Sequence, residues 1–253
     1  KLTEKAISWI DEHKDGPFFL YLATTNIHHP FTPHPRFQGM SACGRYGDFI
    51  HELDWIVGEV VARLEKHGLE DNTLVIFTSD NGGMFNQGGQ DAWKAGHRLN
   101  GPLLGFKFDA WEGGHRVPFI VRWPGITEPG SQSGELICHT DFMPLIADVV
   151  DYTLPVDAAV DGVSFRPALS GKGVKKNRPE VVHHSISGKF AIRTKQWKLV
   201  LCPGSGGWSA SRDEKAREQG LPGIQLYDME TDMKEQNNLQ AQHPEIVNEL
   251  TKT

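Results

Sequence analysis

Apolar residues recur along this chain in two rhythms, one helical and one strand-like. In residues 2–13, Ala6, Ile7 and Ile10 keep helical spacing until Asp15-Gly16-Pro17 breaks it. Residues 18–23 (Phe-Phe-Leu-Tyr-Leu-Ala) are an unbroken apolar run between Gly-Pro and Thr-Thr-Asn, which predicts a strand covered on both faces. Residues 27–47, with prolines at 30, 33 and 35, read as loop. Over 49–67, Leu53, Val57, Val60 and Leu64 fall on one stripe and Gly68 supplies the stop, so a second helix is expected. Residues 73–78 and 119–123 predict two more buried strands. The long Gly-, Asn- and Gln-rich loop between them is of the kind that serves a site. A helix over 141–150 is opened by a Thr-Asp cap, with Pro144 tolerated in its first turn. Residues 172–179 read as a basic linker. The short runs 181–186, 190–193, 197–201 and 226–228 then predict a small antiparallel sheet, and His243-Pro244 opens a closing helix that reaches Leu250. This pattern predicts an α/β core over 1–175 and a C-terminal antiparallel-sheet subdomain over 176–253.

Composition narrows the function. With 38% hydrophobic and 23% charged residues, the 253-residue chain has the make-up of an ordinary globular protein. Its formal charge of −6 offers no basic stripe, which argues against nucleic acid as a partner. No apolar run approaches the ~18 residues of a membrane span. Three cysteines, Cys43, Cys138 and Cys202, are too few for a disulfide framework, and no Asn-x-Ser/Thr acceptor marks a compartment. Lys1 is not an initiator methionine and the chain opens inside an amphipathic helix, so it is read as a fragment.

Chemistry concentrates around residues 74–124. Asp80-Asn81, just past a buried strand, offers a carboxylate and an amide carbonyl, two of the ~6–8 oxygens that Ca²⁺ takes. The same Asp-Asn-Gly step also suits a simple turn. Lys107, five residues before Glu112-Gly113-Gly114, carries a compact ammonium able to neutralise an oxyanion. His28, in Asn26-Ile-His-His-Pro30, has an imidazole suited to proton transfer near neutrality. His97 and Asn100 lie in the long loop. Asp109, Trp111 and His115 are assigned to capping, packing and surface, and His183-His184 to a solvent-facing pair. The loop Cys202-Pro-Gly-Ser-Gly-Gly-Trp208 reads as a flexible β-connection carrying an exposed aromatic suited to a sugar face.

The frame Thr-Leu-Val-Ile-Phe-Thr-Ser-Asp-Asn-Gly, followed by Lys107 and Glu-Gly-Gly, closely resembles the type-I sulfatases of the alkaline phosphatase superfamily. The resemblance spans essentially the whole chain. It implies an alkaline-phosphatase-like α/β fold, a mostly parallel sheet flanked by helices, with a small C-terminal antiparallel β subdomain and a terminal helix. It further implies that Asp80 and Asn81 ligate one Ca²⁺, that Lys107 grips the sulfate, and that His28 assists the leaving oxygen. His28 is chosen over His29 by its distance to Pro30. His97 and Asn100 resemble residues at the pocket mouth and are assigned to substrate binding. Phe-Lys-Phe-Asp departs from the family's commoner Gly-Lys-Gly, which bears on pocket shape.

The family's nucleophile is a formylglycine made within Cys-x-Pro-x-Arg. None of the three cysteines fits: Cys43 precedes Gly-Arg, Cys138 precedes His-Thr, and Cys202 is followed directly by proline. The formylglycine and the remaining calcium ligands are therefore expected upstream of residue 1, and the chain assayed alone is expected to be inactive. The implied reaction is hydrolysis of an organic sulfate monoester, a small molecule or a glycan, with a sulfated carbohydrate favoured. The alternatives are a phosphate or phosphonate ester hydrolase of the same superfamily and an inactive relative that binds sulfated glycans. Export or a lysosomal location is expected from the resemblance, and oligomeric state is left open.

Overall fold

A computed structural model describes residues 1–171 and 178–253, so most of the expected basic linker, residues 172–177, lies outside the described residues. The described chain forms two compact units, each discontinuous in sequence. The first comprises 1–76, 84–99 and 122–125, and the second 77–83, 100–121 and 126–253.

In the first unit, α1 (Leu2–His13) packs on α2 (Gly44–Lys66), and α2 on α3 (Gln87–Lys94). The Asp11 carboxylate fastens α1 to α2, accepting from Arg63 Nη1 at 3.0 and 2.9 Å and from His67 Nε2 at 2.6 Å. Phe31, Tyr46, Phe49 and Ala92 form the buried cluster. Two expectations need correction here. Helix α2 starts five residues before position 49 because buried Asp48 accepts the N–H groups of Gly39 (2.9 Å) and Ser41 (2.8 Å), folding the incoming loop onto the first turn. Helix α3 occupies part of the expected long loop. Its Gly-Gly start is poor in helix propensity, but the Asn86 side chain caps Gly89 N–H at 3.2 Å and Ala92 is fully buried.

Residues 18–23 are extended but join no ladder among the described residues. Burial alternates along them, with Phe19 and Tyr21 exposed, while Phe18 meets Trp9 of α1 edge-on at 5.6 Å. An apolar run sets a preference for extended backbone, whereas a ladder also needs a neighbouring strand. Strands β1 (Val75–Thr78) and β2 (Phe119–Arg122) do form, hydrogen-bonded to each other. They are half-buried rather than buried, and Ile120 is 61% exposed.

The second unit centres on an antiparallel sheet of β3 (Glu180–His184), β4 (Phe190–Thr194), β5 (Trp197–Val200) and β6 (Gln225–Asp228), adjacent in that order. Register pairs Val182 with Ile192, Ile192 with Leu199, and Leu199 with Leu226. Both faces are covered. Ile192, Leu199 and Leu226 pack against Leu250, Ile246 and Val247 of α8 (Pro244–Leu250). On the opposite face Ala191, Val200, Tyr227 and Met229 pack against Ala110 and Trp111, with Leu104 at the edge. The segment leading into α4 (Glu112–His115) is thus part of the sheet's own core. Helix α5 (Phe142–Val149) forms where expected but without the expected cap, because the Asp141 carboxylate accepts from Cys138 N and Val163 N at 2.8 Å each and makes no bond to the first turn of the helix. The short helices α6 (Arg166–Leu169) and α7 (Asp213–Glu218) were not expected. No helix among the described residues is long and apolar enough to cross a membrane.

Candidate active site

The second unit brings together two backbone segments that carry four of the expected site residues. Past β1, Ser79 Oγ donates to Asn81 O at 3.0 Å and folds the Asp80-Asn81 turn. Gly82 N–H then donates to Gly114 O (3.0 Å), and Lys107 N–H to Gly83 O (2.9 Å). Asn100 braces the two segments: its Oδ1 accepts from Gly83 N at 2.7 Å while its Nδ2 donates to Gly105 O at 3.0 Å. Position 82 admits only glycine, since an added Cβ would stand 1.7 Å from the Gly113 carbonyl oxygen. Asp80, Asn81, Asn100 and Lys107 therefore share one hydrogen-bonded substructure. His28 and His97 belong to the first unit.

Oxygen chemistry at the Asp80 turn suits a hard cation. Asp80 is exposed, and the Asn81 amide nitrogen donates to Gly82 O at 3.0 Å, leaving its carbonyl oxygen as the donor on offer. These are two of the ~6–8 oxygens of a calcium shell, so the pair fits part of such a site. Among the described residues no group of three or more His, Cys, Asp or Glu is placed to hold a metal. At His28 the ring Nδ1–H donates to the His29 carbonyl at 2.6 Å, which leaves exposed Nε2 as the nitrogen facing outward chemistry. His97 lies with its ring 6.0 Å from that of Tyr46.

Asp109 does more than the capping expected of it. It is fully buried and accepts from four donors: Phe106 N at 2.8 Å, Trp208 N at 3.0 Å, Ser209 N at 3.1 Å and the Ser209 hydroxyl. It thereby pins the lysine segment to the 202–209 loop. That loop is not the flexible connection expected: residues 202–206 are buried, Ala110 N donates to Ser205 O at 2.8 Å, and Gln225 Nε2 donates to the Cys202 and Gly204 carbonyls at 2.7 and 2.8 Å. Burial, reinforced by the Asp213 charge, pushes the Cys202 thiol up to about 12, so it is an inert core group.

Lys198, Glu112 and Glu235 form a buried ionic cluster that sequence patterning gave no sign of. Lys198 is fully buried, with its Nζ 3.1 Å from Glu112 Oε1 and 2.9 Å from Glu235 Oε1. Glu235 Oε2 also accepts the Glu112 N–H at 2.7 Å, fixing the first turn of α4. Burial alone would raise Glu112, but the charges of Lys198 and Arg193 outweigh it and hold the carboxyl below its usual range. Glu235 is pushed up, by burial first and by Glu112 next, against the pull of Lys198.

His183 is not the solvent-facing residue expected. Its ring lies against that of His115, with centroids 3.9 Å apart and planes tilted by 43°, and His115 Nε2 and His183 Nδ1 are both buried without hydrogen-bond partners. Burial, then the Lys198 charge, lowers both, His115 to about 4. A group whose folded pKa is depressed below its unfolded value near 6.5 contributes stability above that pH and loses it as pH falls. The melting temperature is therefore expected to drop as pH is lowered from about 6.5 toward 4, with His115 alone accounting for up to about 3 kcal/mol. A His115→Phe variant should show a shallower slope in the same range, and an identical slope would contradict this assignment.

Comparison with known proteins agrees with this architecture. The sulfatase family model matches residues 1–152, and a model for the C-terminal region of N-sulphoglucosamine sulphohydrolase matches residues 107–208. The chain is 40% identical to an N-acetylgalactosamine-6-O-sulfatase of Bacteroides thetaiotaomicron, covering 99% of this chain and 49% of that protein. It is 38% identical to a steryl-sulfatase of Rattus norvegicus, over 73% of this chain and 32% of that one. The chain thus spans half or less of these relatives. A solved structure from work on the metabolism of multiple glycosaminoglycans by Bacteroides thetaiotaomicron superposes with a TM-score of 0.86 at 38% identity, covering 99% of this chain and 52% of that one. Ps i-CgsB in complex with k-i-k-neocarrahexaose superposes with a TM-score of 0.77 at 26% identity, over 99% and 53%. With the α/β fold, the Asp-Asn-Gly turn and the Lys-to-Glu-Gly-Gly spacing in place, and the family model matching more than half of its residues, this chain belongs to the sulfatase family.

Proposed function

We propose that this chain is the cation- and sulfate-binding portion of a sulfuric ester hydrolase acting on a sulfated carbohydrate. The observation that carries the reading is the brace of Asn100 between Gly83 and Gly105, which ties the Asp80-Asn81 turn to the backbone bearing Lys107. A cation-binding turn and an ammonium held in one hydrogen-bonded frame suit a tetrahedral oxyanion. The relative named N-acetylgalactosamine-6-O-sulfatase supports a sulfated amino sugar as the substrate.

In this reading Asp80 and Asn81 would supply two oxygens to a calcium ion, which when bound supplies Lewis acidity toward a sulfate oxygen. A formylglycine from the upstream part of the enzyme would supply the nucleophile. Lys107 Nζ binds the sulfate oxygens and neutralises their charge. By the family resemblance, His28 Nε2 would give the proton to the bridging oxygen as the S–O bond to the sugar breaks, so that the sugar leaves as an alcohol. By the same resemblance, His97 would be a second substrate contact. Asn100, whose amide is engaged with backbone at both ends, acts by positioning the two loops.

The test uses the full-length protein with 6-sulfated N-acetylgalactosamine and the matching phosphate ester. Sulfate release should dominate, and Asp80→Ala should weaken calcium binding, followed by calorimetry, at least about tenfold. Faster phosphate release would move the protein to a phosphoryl-transfer class, and sugar binding without release of either ion would make it a glycan-binding relative.

A further inference from the structure

Trp208 is 54% exposed although its backbone is firmly held. Its N–H and that of Ser209 both donate to buried Asp109. Position 207 has no room for a side chain, because a Cβ there would stand 2.4 Å from the Phe108 carbonyl oxygen and 2.5 Å from Asp109 Oδ1. The Trp208 ring lies against that of Phe108 with centroids 4.2 Å apart and planes tilted by 47°. Phe108 itself adopts a φ of +86°, a conformation that L residues with large side chains avoid, and its carbonyl is held by Ile186 N–H at 3.0 Å. Lys107 Nζ stands 5.3 Å from the centroid of the Phe108 ring, within the range of cation–π attraction.

We propose that Phe108 and Trp208 form a sugar-binding platform that adjoins Lys107 and sets the preference of this site for sulfated carbohydrates. The inference rests on the proposed sulfate-binding role of Lys107 and adds the subsite that receives the carbon skeleton. A pyranose presents a face of C–H groups with hydroxyls at its edge, so it lays an apolar surface on an aromatic ring while its sulfate reaches a neighbouring ammonium. The backbone under both rings is held before the ligand arrives, which lowers the ordering cost to be met on binding. This also accounts for the departure from Gly-Lys-Gly, since Phe-Lys-Phe places an aromatic face directly beside the lysine. Trp208 acts in substrate specificity, touching the sugar and not the reacting sulfur.

Binding and turnover are measured separately in the full-length protein. Calorimetry compares a 6-sulfated N-acetylgalactosamine oligosaccharide with methyl sulfate, which has no ring to lay on the platform, for wild type, Trp208→Leu and Trp208→Phe. Trp208→Leu should weaken oligosaccharide binding about tenfold and leave methyl sulfate within about twofold, while Trp208→Phe retains most of the affinity. Unchanged oligosaccharide binding in Trp208→Leu, or an equal loss for both ligands, overturns the platform. Oligosaccharide binding that depends on Trp208 without sulfate release supports the platform and counts against the hydrolase reading alone. A wild-type protein that binds no oligosaccharide overturns the platform outright.

Discussion

Replacing Lys107 with alanine in the full-length protein is expected to lower kcat for sulfate release by about 10²–10³-fold, which corresponds to about 2.7–4 kcal/mol of lost transition-state stabilisation. The expectation rests on where the ammonium stands. Its backbone is fixed by the Gly83 carbonyl at 2.9 Å, and its side chain lies beside Phe108 and is only half-buried. A charge aimed at developing negative oxygens should act mainly on kcat, and a rise in KM alone would mark uniform binding instead. Lys107→Arg keeps the charge but spreads it over a planar fork, so partial activity is expected. Steady-state kinetics with sulfate detected directly is the measurement. Wild-type turnover in Lys107→Ala would remove this residue from the chemistry.

The second large effect concerns stability. Lys198→Met leaves two carboxylates, Glu112 and Glu235, buried with their shared cation gone. Loss of one partner from a buried ionic cluster costs about 3–5 kcal/mol. For a chain of this size that is a fall in Tm on the order of 10 °C, measurable by calorimetry. Glu112→Gln and Glu235→Gln added to Lys198→Met should restore much of the loss, because neutral amides remove the unpaired charge. If the triple variant is no more stable than Lys198→Met, packing of the lysine stem is the cause and the electrostatic account fails. Since Glu112 opens α4, five residues from Lys107, the single variant should also lower activity.

Much of the fold was legible from periodicity. The first helix and the last, the four strands of the C-terminal sheet and the helix at 142–149 follow local patterns of apolar spacing and proline placement, which act over a few residues. The errors fall where partners distant in sequence decide. Residues 18–23 have strand composition but no ladder, and the Gly-Gly start of α3 has poor propensity but a capped, buried place.

At the candidate site, the order Asp80-Asn81, Lys107, Glu112-Gly-Gly was visible at once because side-chain type and spacing carry the chemistry. The roles of the residues between them were not. Asp109, assigned to capping and similar duties, is the buried acceptor that joins positions a hundred residues apart, and Asn100 is a brace between loops. The isolated Lys198 gave no hint in a strand pattern that it would lie fully buried between two glutamates. Local composition determines which residues can hold a cation or an oxyanion and which segments can be helix or strand, because those properties belong to single residues and their near neighbours. Tertiary structure alone decided which loops meet, which charges are desolvated together and which distant ring meets Phe108, because those depend on hydrogen bonds and burial between distant segments.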